Sequence, residues 1–216
     1  MKSKPKVLII YAHAEKKSFC CAIKDTCMKV LQTYCEVKIS DLYEMKLEAP
    51  LAQGDFKELK NPGFFKPQME QLEANKMDFK NYIDPVKIEH EKLKWADIIL
   101  FIFPLYWFSF PGVMKNWIDR VFSFGFAYGS GHSLEGKKAM VLYTTGGPAN
   151  MLSPMEPAMF KIMFDMTFGF CSLKTIKPFV AYSAARITQD ERVKYLKDLE
   201  GIMAKLPERE LYVSPK

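Results

Sequence analysis

Apolar positions along this chain follow two patterns: short unbroken runs, and longer stretches spaced for one face of a helix. The run Ile98-Ile99-Leu100-Phe101-Ile102-Phe103, after Asp97, has strand length and strand composition. It reads as a strand buried on both faces, in the middle of a parallel sheet. Pro104 ends it, because proline has no N–H to give a ladder. Leu105, Tyr106, Trp107 and Phe108 follow as a short connection, and Pro111 then sits in the first turn of a helix with Met114, Trp117, Ile118 and Val121 at helical spacing. Residues 7–11 form a second apolar strand. Ser18 is a good N-cap for the next helix, which carries Phe19, Ile23, Thr26 and Val30 on one stripe. Residues 36–41 alternate apolar and polar, which suits a strand near a sheet edge. A helix over about 85–94 leads into the central strand. Residues 137–143 make a fourth strand that runs into Thr144-Thr145-Gly146-Gly147-Pro148, and residues 173–182 a fifth. Asp190 opens the last helix, with Val193, Leu196, Leu199, Met203 and Leu206 spaced for packing.

Strands alternating with helices in this way give an α/β fold with a doubly wound, five-stranded parallel sheet and helices on both faces. Residues 1–216 read as one domain, with an insertion at about 43–84 after the second strand. There the periodicity dissolves into Pro, Gly, Lys and Glu, yet Phe64, Phe65, Met69 and Leu72 argue against disorder. Residues 154–170 are dense in Met and Phe. As a helix they are apolar nearly all round, relieved only by Glu156, Lys161, Asp165 and Thr167. Such a helix is covered on two sides, and a subunit interface is the economical cover.

Composition changes this picture little. Apolar residues are 49% and charged residues 26%, an ordinary globular balance. No apolar stretch reaches the roughly 18 residues of a spanning helix, and the N-terminus is not a convincing signal peptide, so no membrane insertion is expected. Five cysteines, an odd number without a C-x-x-C pair, fit neither a disulfide framework nor a zinc site and point to a reducing cytoplasm. The net charge of +6 is scattered among Glu and Asp rather than clustered, which argues against a nucleic-acid partner and is compatible with small anions.

Candidate chemistry follows from topology. With strand order 2-1-3-4-5, the switch point lies between strands 1 and 3, and ligands bind outside the carboxyl ends of strands at such a point. Three unusual segments meet there: residues 13–19, 104–108 and 144–147. The Ser18 helix start offers free N–H groups and a positive dipole end suited to phosphate. Neither G-x-G-x-x-G nor G-x-x-x-x-G-K-[ST] is present, which removes the standard dinucleotide turn and the P-loop. Taken singly, the aromatics could cap the core and the two glycines could be a tight turn. Their meeting favours a binding crevice.

The sequence also resembles the NAD(P)H:quinone oxidoreductases (DT-diaphorases) and their flavodoxin-like bacterial relatives. The matching residues are Ala12-His13 with Ser18-Phe19, Ser40-Asp41-Leu42-Tyr43, Pro104-Leu105-Tyr106-Trp107-Phe108, Lys115 to Arg120 with Val121-Phe122, Phe126-Ala127-Tyr128 and Thr144-Thr145-Gly146-Gly147, in family order. The resemblance implies a flavodoxin-like fold, a homodimer, FAD rather than FMN as cofactor, NAD(P)H as donor and a quinone-type acceptor. His13, Ser18, Phe19 and Cys20 would then surround the FAD phosphates and ribityl chain. Pro104, Leu105, Tyr106, Trp107 and Phe108, with Thr144, Thr145, Gly146 and Gly147, would hold the flavin ring, and Arg192 would reach the adenine end. Trp107, Phe126 and Tyr128, the last from the partner chain, would line the substrate side, and Gln68 lies near a family glutamine. Gly146 and Gly147, with Trp107 beside them, would support hydride transfer through flavin N5. Animal members carry Asn where this chain has Cys20, and a Tyr and a His where it has Leu152 and Ala158. Two other roles remain from the same resemblance: a regulatory subunit of a membrane ion-efflux system, and a flavodoxin-type electron carrier.

Overall fold

The computed structural model describes residues 3–45, 47 and 50–214. Its strands β1 (Lys6–Tyr11), β2 (Glu36–Asp41), β3 (Ile98–Pro104), β4 (Lys138–Thr144) and β5 (Lys174–Thr175) lie in the order β2-β1-β3-β4-β5, all parallel. β3 is central and buried along its whole length, as its unbroken apolar run requires. It runs one residue further than expected, to Pro104, which pairs with Thr144. The next residue, Leu105, donates its N–H to the Thr144 carbonyl at 2.9 Å. Because N–H directions alternate along a strand, the missing N–H of Pro104 points toward β1, which has already ended at Tyr11.

The expected fifth strand is two short ones. β5 and β6 (Phe179–Ala181) both pair with β4. The Ile176 N–H still donates to Ala139 O of β4 at 2.7 Å, and the chain then turns to the C-terminal residues: the Lys177 N–H donates to Glu210 O at 3.0 Å and the Tyr212 N–H to Thr175 O at 2.8 Å. Pro178 has no N–H with which to continue a ladder.

Helices α1 (Phe19–Leu31) and α7 (Gln189–Met203) cover one face of the sheet. Helices α3 (Asp84–Trp95) and α4 (Gly112–Val121), with residues 149–171, cover the other. α7 starts one residue before Asp190, on a capping box between Thr188 and Glu191. Its Leu199 and Met203 are buried, but Val193 is exposed.

Polar groups hold the insertion. Its helix α2 (Pro67–Lys76) buries Glu70, which accepts the Lys60 and Asn61 N–H groups at 2.8 and 3.2 Å. Buried Asp55 and Arg120 pair at 2.9 and 3.1 Å. The apolar residues singled out above do less of this, since Phe64 and Met69 are exposed. Irregular backbone needs hydrogen-bond partners that apolar side chains cannot give.

Residues 149–171 are not one helix. α5 (Ala149–Leu152), a 3₁₀ turn, α6 (Glu156–Phe160), a π-helical stretch over Lys161–Phe168 and a second 3₁₀ turn follow in sequence. The wider π turn brings side chains four apart nearly into line. Phe160, Phe164 and Phe168 accordingly stack, with centroids 4.7 and 6.2 Å apart and ring planes within 10°. That face is buried. The opposite one leaves Ile162, Met166 and Phe170 more than half exposed.

Candidate functional site

Adjacent strands β1, β3 and β4 end together, and the loops that leave them touch. Ser18 caps α1, its hydroxyl accepting the Cys21 N–H at 3.1 Å. The Cys20 thiol, buried under the same turn, lies 3.1 Å from the Thr144 hydroxyl at the end of β4. This contact joins the α1 start to the end of β4. Burial pushes the Cys20 thiol up to about 11, against the lowering effect of its hydrogen bond to Thr144, so it stays protonated at neutral pH. The Cys20 side chain therefore packs inward, and only its backbone N–H is available to a ligand.

The turn before α1 is organised by its own side chains. The Glu15 N–H donates to His13 Nδ1 at 2.9 Å and the Lys17 N–H to Glu15 Oε1 at 2.7 Å. An Nδ1 that accepts leaves the ring proton on Nε2, as an outward donor. Phe19 and Cys20 occupy the first two helical positions and donate to no protein acceptor among the described residues. From α7, Arg192 lies 5.8 Å from the Phe19 ring. Free amides at a helix start beside a guanidinium are chemically suited to an anion.

On the β4 side, residues 144–147 are clamped from two directions. The Thr145 N–H donates to Ala181 O at 3.0 Å, and the Thr145 hydroxyl donates to Gly147 O at 2.7 Å. The Ser183 N–H reaches Gly147 O at 3.0 Å, and the Ala184 N–H reaches Thr145 O at 2.9 Å. Between these anchors, the N–H groups of Gly146 and Gly147 donate to no protein acceptor among the described residues. Neither glycine has a positive φ. What glycine provides at 146 is space: a Cβ there would meet nothing within 4 Å.

The third wall is the turn Tyr106–Ser109, closed by two backbone hydrogen bonds of 3.3 and 3.0 Å. Its central residues, Trp107 and Phe108, have φ of 48° and 59°. Left-handed backbone at bulky residues costs on the order of 1–2 kcal/mol each. Trp107 is 92% exposed. Unpaired amides, open space and an exposed flat side chain fit a planar cofactor with an anionic tail.

Several expected site residues lie elsewhere. Phe126 is 2% exposed, packed edge-on against Phe79 and His90 with centroids 5.5 and 5.0 Å away. It is a core residue and cannot meet a substrate. Pro104 is buried in β3. Tyr128 and Gln68 line a separate cavity of about 650 Å³ with Lys115, Met166 and Phe170. None of the crevice loops lines it. Leu152 is buried and Ala158 exposed. Residues 181–184, which fix the two-glycine turn, escaped the sequence reading, because their backbone makes the contacts. Glu156 did leave a signal, as an acid in an apolar stretch.

A family model described as flavodoxin-like fold matches residues 5–202. The chain is 36% identical over 200 residues to ribosyldihydronicotinamide dehydrogenase (quinone) of Homo sapiens, covering 87% of this chain and 85% of that protein. It is 34% identical over 227 residues to NAD(P)H dehydrogenase (quinone) 1 of Cavia porcellus, covering 97% and 80%. A solved structure from Klebsiella pneumoniae assigned as a quinone reductase superposes with a TM-score of 0.88 at 30% identity, over 97% of this chain and 87% of that one.

Proposed function

This chain belongs to the NAD(P)H:quinone dehydrogenase family of flavodoxin-like fold, and from that premise we propose that it is a flavin-dependent oxidoreductase passing two electrons from NAD(P)H to quinones or similar acceptors. A flavin held in the crevice would supply the redox chemistry, hydride acceptance at N5 and return of two electrons. The protein's part is to bind, orient and stabilise charge. His13 Nε2–H, Ser18 and the N–H groups of Phe19 and Cys20 receive the phosphates. Arg192 over Phe19 extends the rim toward an adenine, which favours FAD over FMN. The loops at 104–108 and 144–147 hold the flavin ring, with Trp107 beside it.

The unpaired amides of Gly146 and Gly147 would hold the N1 and O2 edge of a bound flavin, where negative charge would develop, and donors already in place would cost no reorganisation there. Leu152 and Ala158 have no polar side-chain atom, so this support falls to backbone. One open face serves donor and acceptor in turn, which gives ping-pong kinetics. The exposed face of residues 161–171, with Ile162, Met166 and Phe170, is the natural seat of a second copy, and Tyr128 of the partner subunit then lines the substrate side.

The observation that carries this reading is the joining of two sets of unpaired amides, at the start of α1 and after β4, by the 3.1 Å Cys20–Thr144 contact. The aromatic turn and the +6 charge favour an enzyme over an acidic electron carrier. No helix among the described residues is long and apolar enough to cross a membrane, and five free cysteines suit a reducing cytoplasm. The test is to identify the flavin released from purified yellow protein and to vary NAD(P)H at several menadione concentrations. Parallel double-reciprocal lines are expected. Intersecting lines would refute the ping-pong scheme, and a colourless protein that takes up neither flavin would refute the site.

A further inference from the structure

Behind the two-glycine turn lies a cluster that the proposed chemistry leaves without a role. Glu156 Oε1 accepts hydrogen bonds from the Tyr143 hydroxyl at 2.8 Å and the Tyr182 hydroxyl at 2.5 Å. Three segments that never meet in sequence are joined at one atom. Tyr143 is on β4, two residues before Thr145. Tyr182 lies between Ala181, whose carbonyl accepts the Thr145 N–H, and Ser183, whose N–H reaches both Gly147 O and the Thr145 hydroxyl. Glu156 opens α6, downstream of the turn.

Both phenols are donors that stay donors. Burial first, and the bond to Glu156 second, push the Tyr143 and Tyr182 hydroxyls well above the usual tyrosine range. Tyr143 is wholly buried, its ring 6.0 Å from Phe103 and 6.4 Å from Phe160. Ser183 is held at φ 53°, a backbone state that persists only where its surroundings enforce it. The tie through Tyr182 is one such enforcement, one residue away.

We propose that Glu156 is a positioning residue for the flavin site: by tying Tyr143 to Tyr182 it fixes the clamp at residues 181–184, and through it the direction of the Gly146 and Gly147 N–H groups. This rests on the flavin reading of the crevice. Glu156 does not touch the cofactor; it acts through the two phenols and the backbone they hold. Removing its acceptor oxygen frees Tyr182 to turn, lets Ser183 relax out of its left-handed state, and lets the unpaired amides swing from the flavin edge.

The experiment measures flavin affinity by fluorescence quenching and the visible circular dichroism of the bound flavin, in the full chain and in Glu156→Leu, Glu156→Gln and Tyr182→Phe. Thermal melts of the flavin-free forms are recorded beside them. Glu156→Leu is expected to weaken flavin binding by about tenfold or more and to change the visible dichroism, one lost charged hydrogen-bond set being of that size. Glu156→Gln keeps an acceptor oxygen and recovers most of that loss. Tyr182→Phe, which deletes one hydroxyl, falls between and decides the matter if Glu156→Leu does not fold. Variants that bind flavin within about twofold of the parent with unchanged dichroism, whatever their melting temperature, would overturn the role of Glu156 and leave the flavin site standing. A parent protein that takes up no flavin overturns both.

Discussion

The two loops that flank the ends of β3 and β4 are built on opposite principles. The turn Tyr106–Ser109 is strained and supports only itself: two bulky residues at positive φ, two hydrogen bonds within the turn, and a Trp107 side chain 92% exposed. Residues 144–147 have no positive φ and are supported from outside by the backbone of 181–184, with the Thr145 hydroxyl adding a bond within the segment. A loop clamped at fixed points holds its donors ready before a ligand arrives. A strained loop with exposed aromatics has its conformation completed by what it touches. One side of the crevice is therefore pre-organised for charge, and the other offers a flat apolar surface.

Substitutions can break this contrast, in descending order of their effect on the flavin site. Gly146→Val places a side chain in space that the protein leaves open. It should fold with nearly unchanged stability yet bind flavin on the order of a hundredfold more weakly, a clash of about 3 kcal/mol. Flavin titration beside a denaturant melt separates the two. Thr145→Val removes the hydroxyl that donates to Gly147 O and accepts from the Ser183 N–H. Stability should fall by about 1–3 kcal/mol and flavin affinity by about tenfold.

Trp107→Gly acts on the strained loop instead. Glycine accepts φ of 48° without penalty, so flavin-free stability should rise by roughly 0.5–1 kcal/mol, while affinity for the flavin or its substrates falls several-fold. A loss of stability in this variant would show that the turn is not strained.

Acidity also acts on a buried group outside both loops. His90 is buried, its Nε2 2.8 Å from the Ser123 hydroxyl, and burial lowers it to about 4. The folded pKa lies below the unfolded one, so His90's contribution to stability is complete above pH 6.5 and is lost as pH falls toward 4. The loss amounts to roughly 3 kcal/mol. Melts across that window should show it, and His90→Gln should flatten the curve without changing flavin affinity at neutral pH.

Much of the crevice was legible because its signals are local. The Ser18 cap, the apolar run of β3 and the glycine pair after β4 each declare themselves within a few residues, and sheet topology brings them together. Phe126 was misread because an aromatic looks the same in sequence whether it faces a ligand or, as here, Phe79 and His90. Residues 154–170, read as a single apolar helix, are a chain of α, 3₁₀ and π turns, a change of helix type that leaves the apolar pattern of Phe160, Phe164 and Phe168 intact and so no trace in it.

By itself the sequence determined the strands, the helices between them and the loops that follow the strands, because hydrophobic period and capping chemistry are written residue by residue; the strand order that the crevice needed was supposed there and is seen in the sheet. Only the tertiary structure decided that Thr145 is clamped by residues 181–184, that Glu156 ties Tyr143 to Tyr182, and that Trp107 sits in left-handed backbone. Those contacts join residues far apart in the chain or set a backbone angle against its own preference. Neither leaves a periodic trace in the order of amino acids.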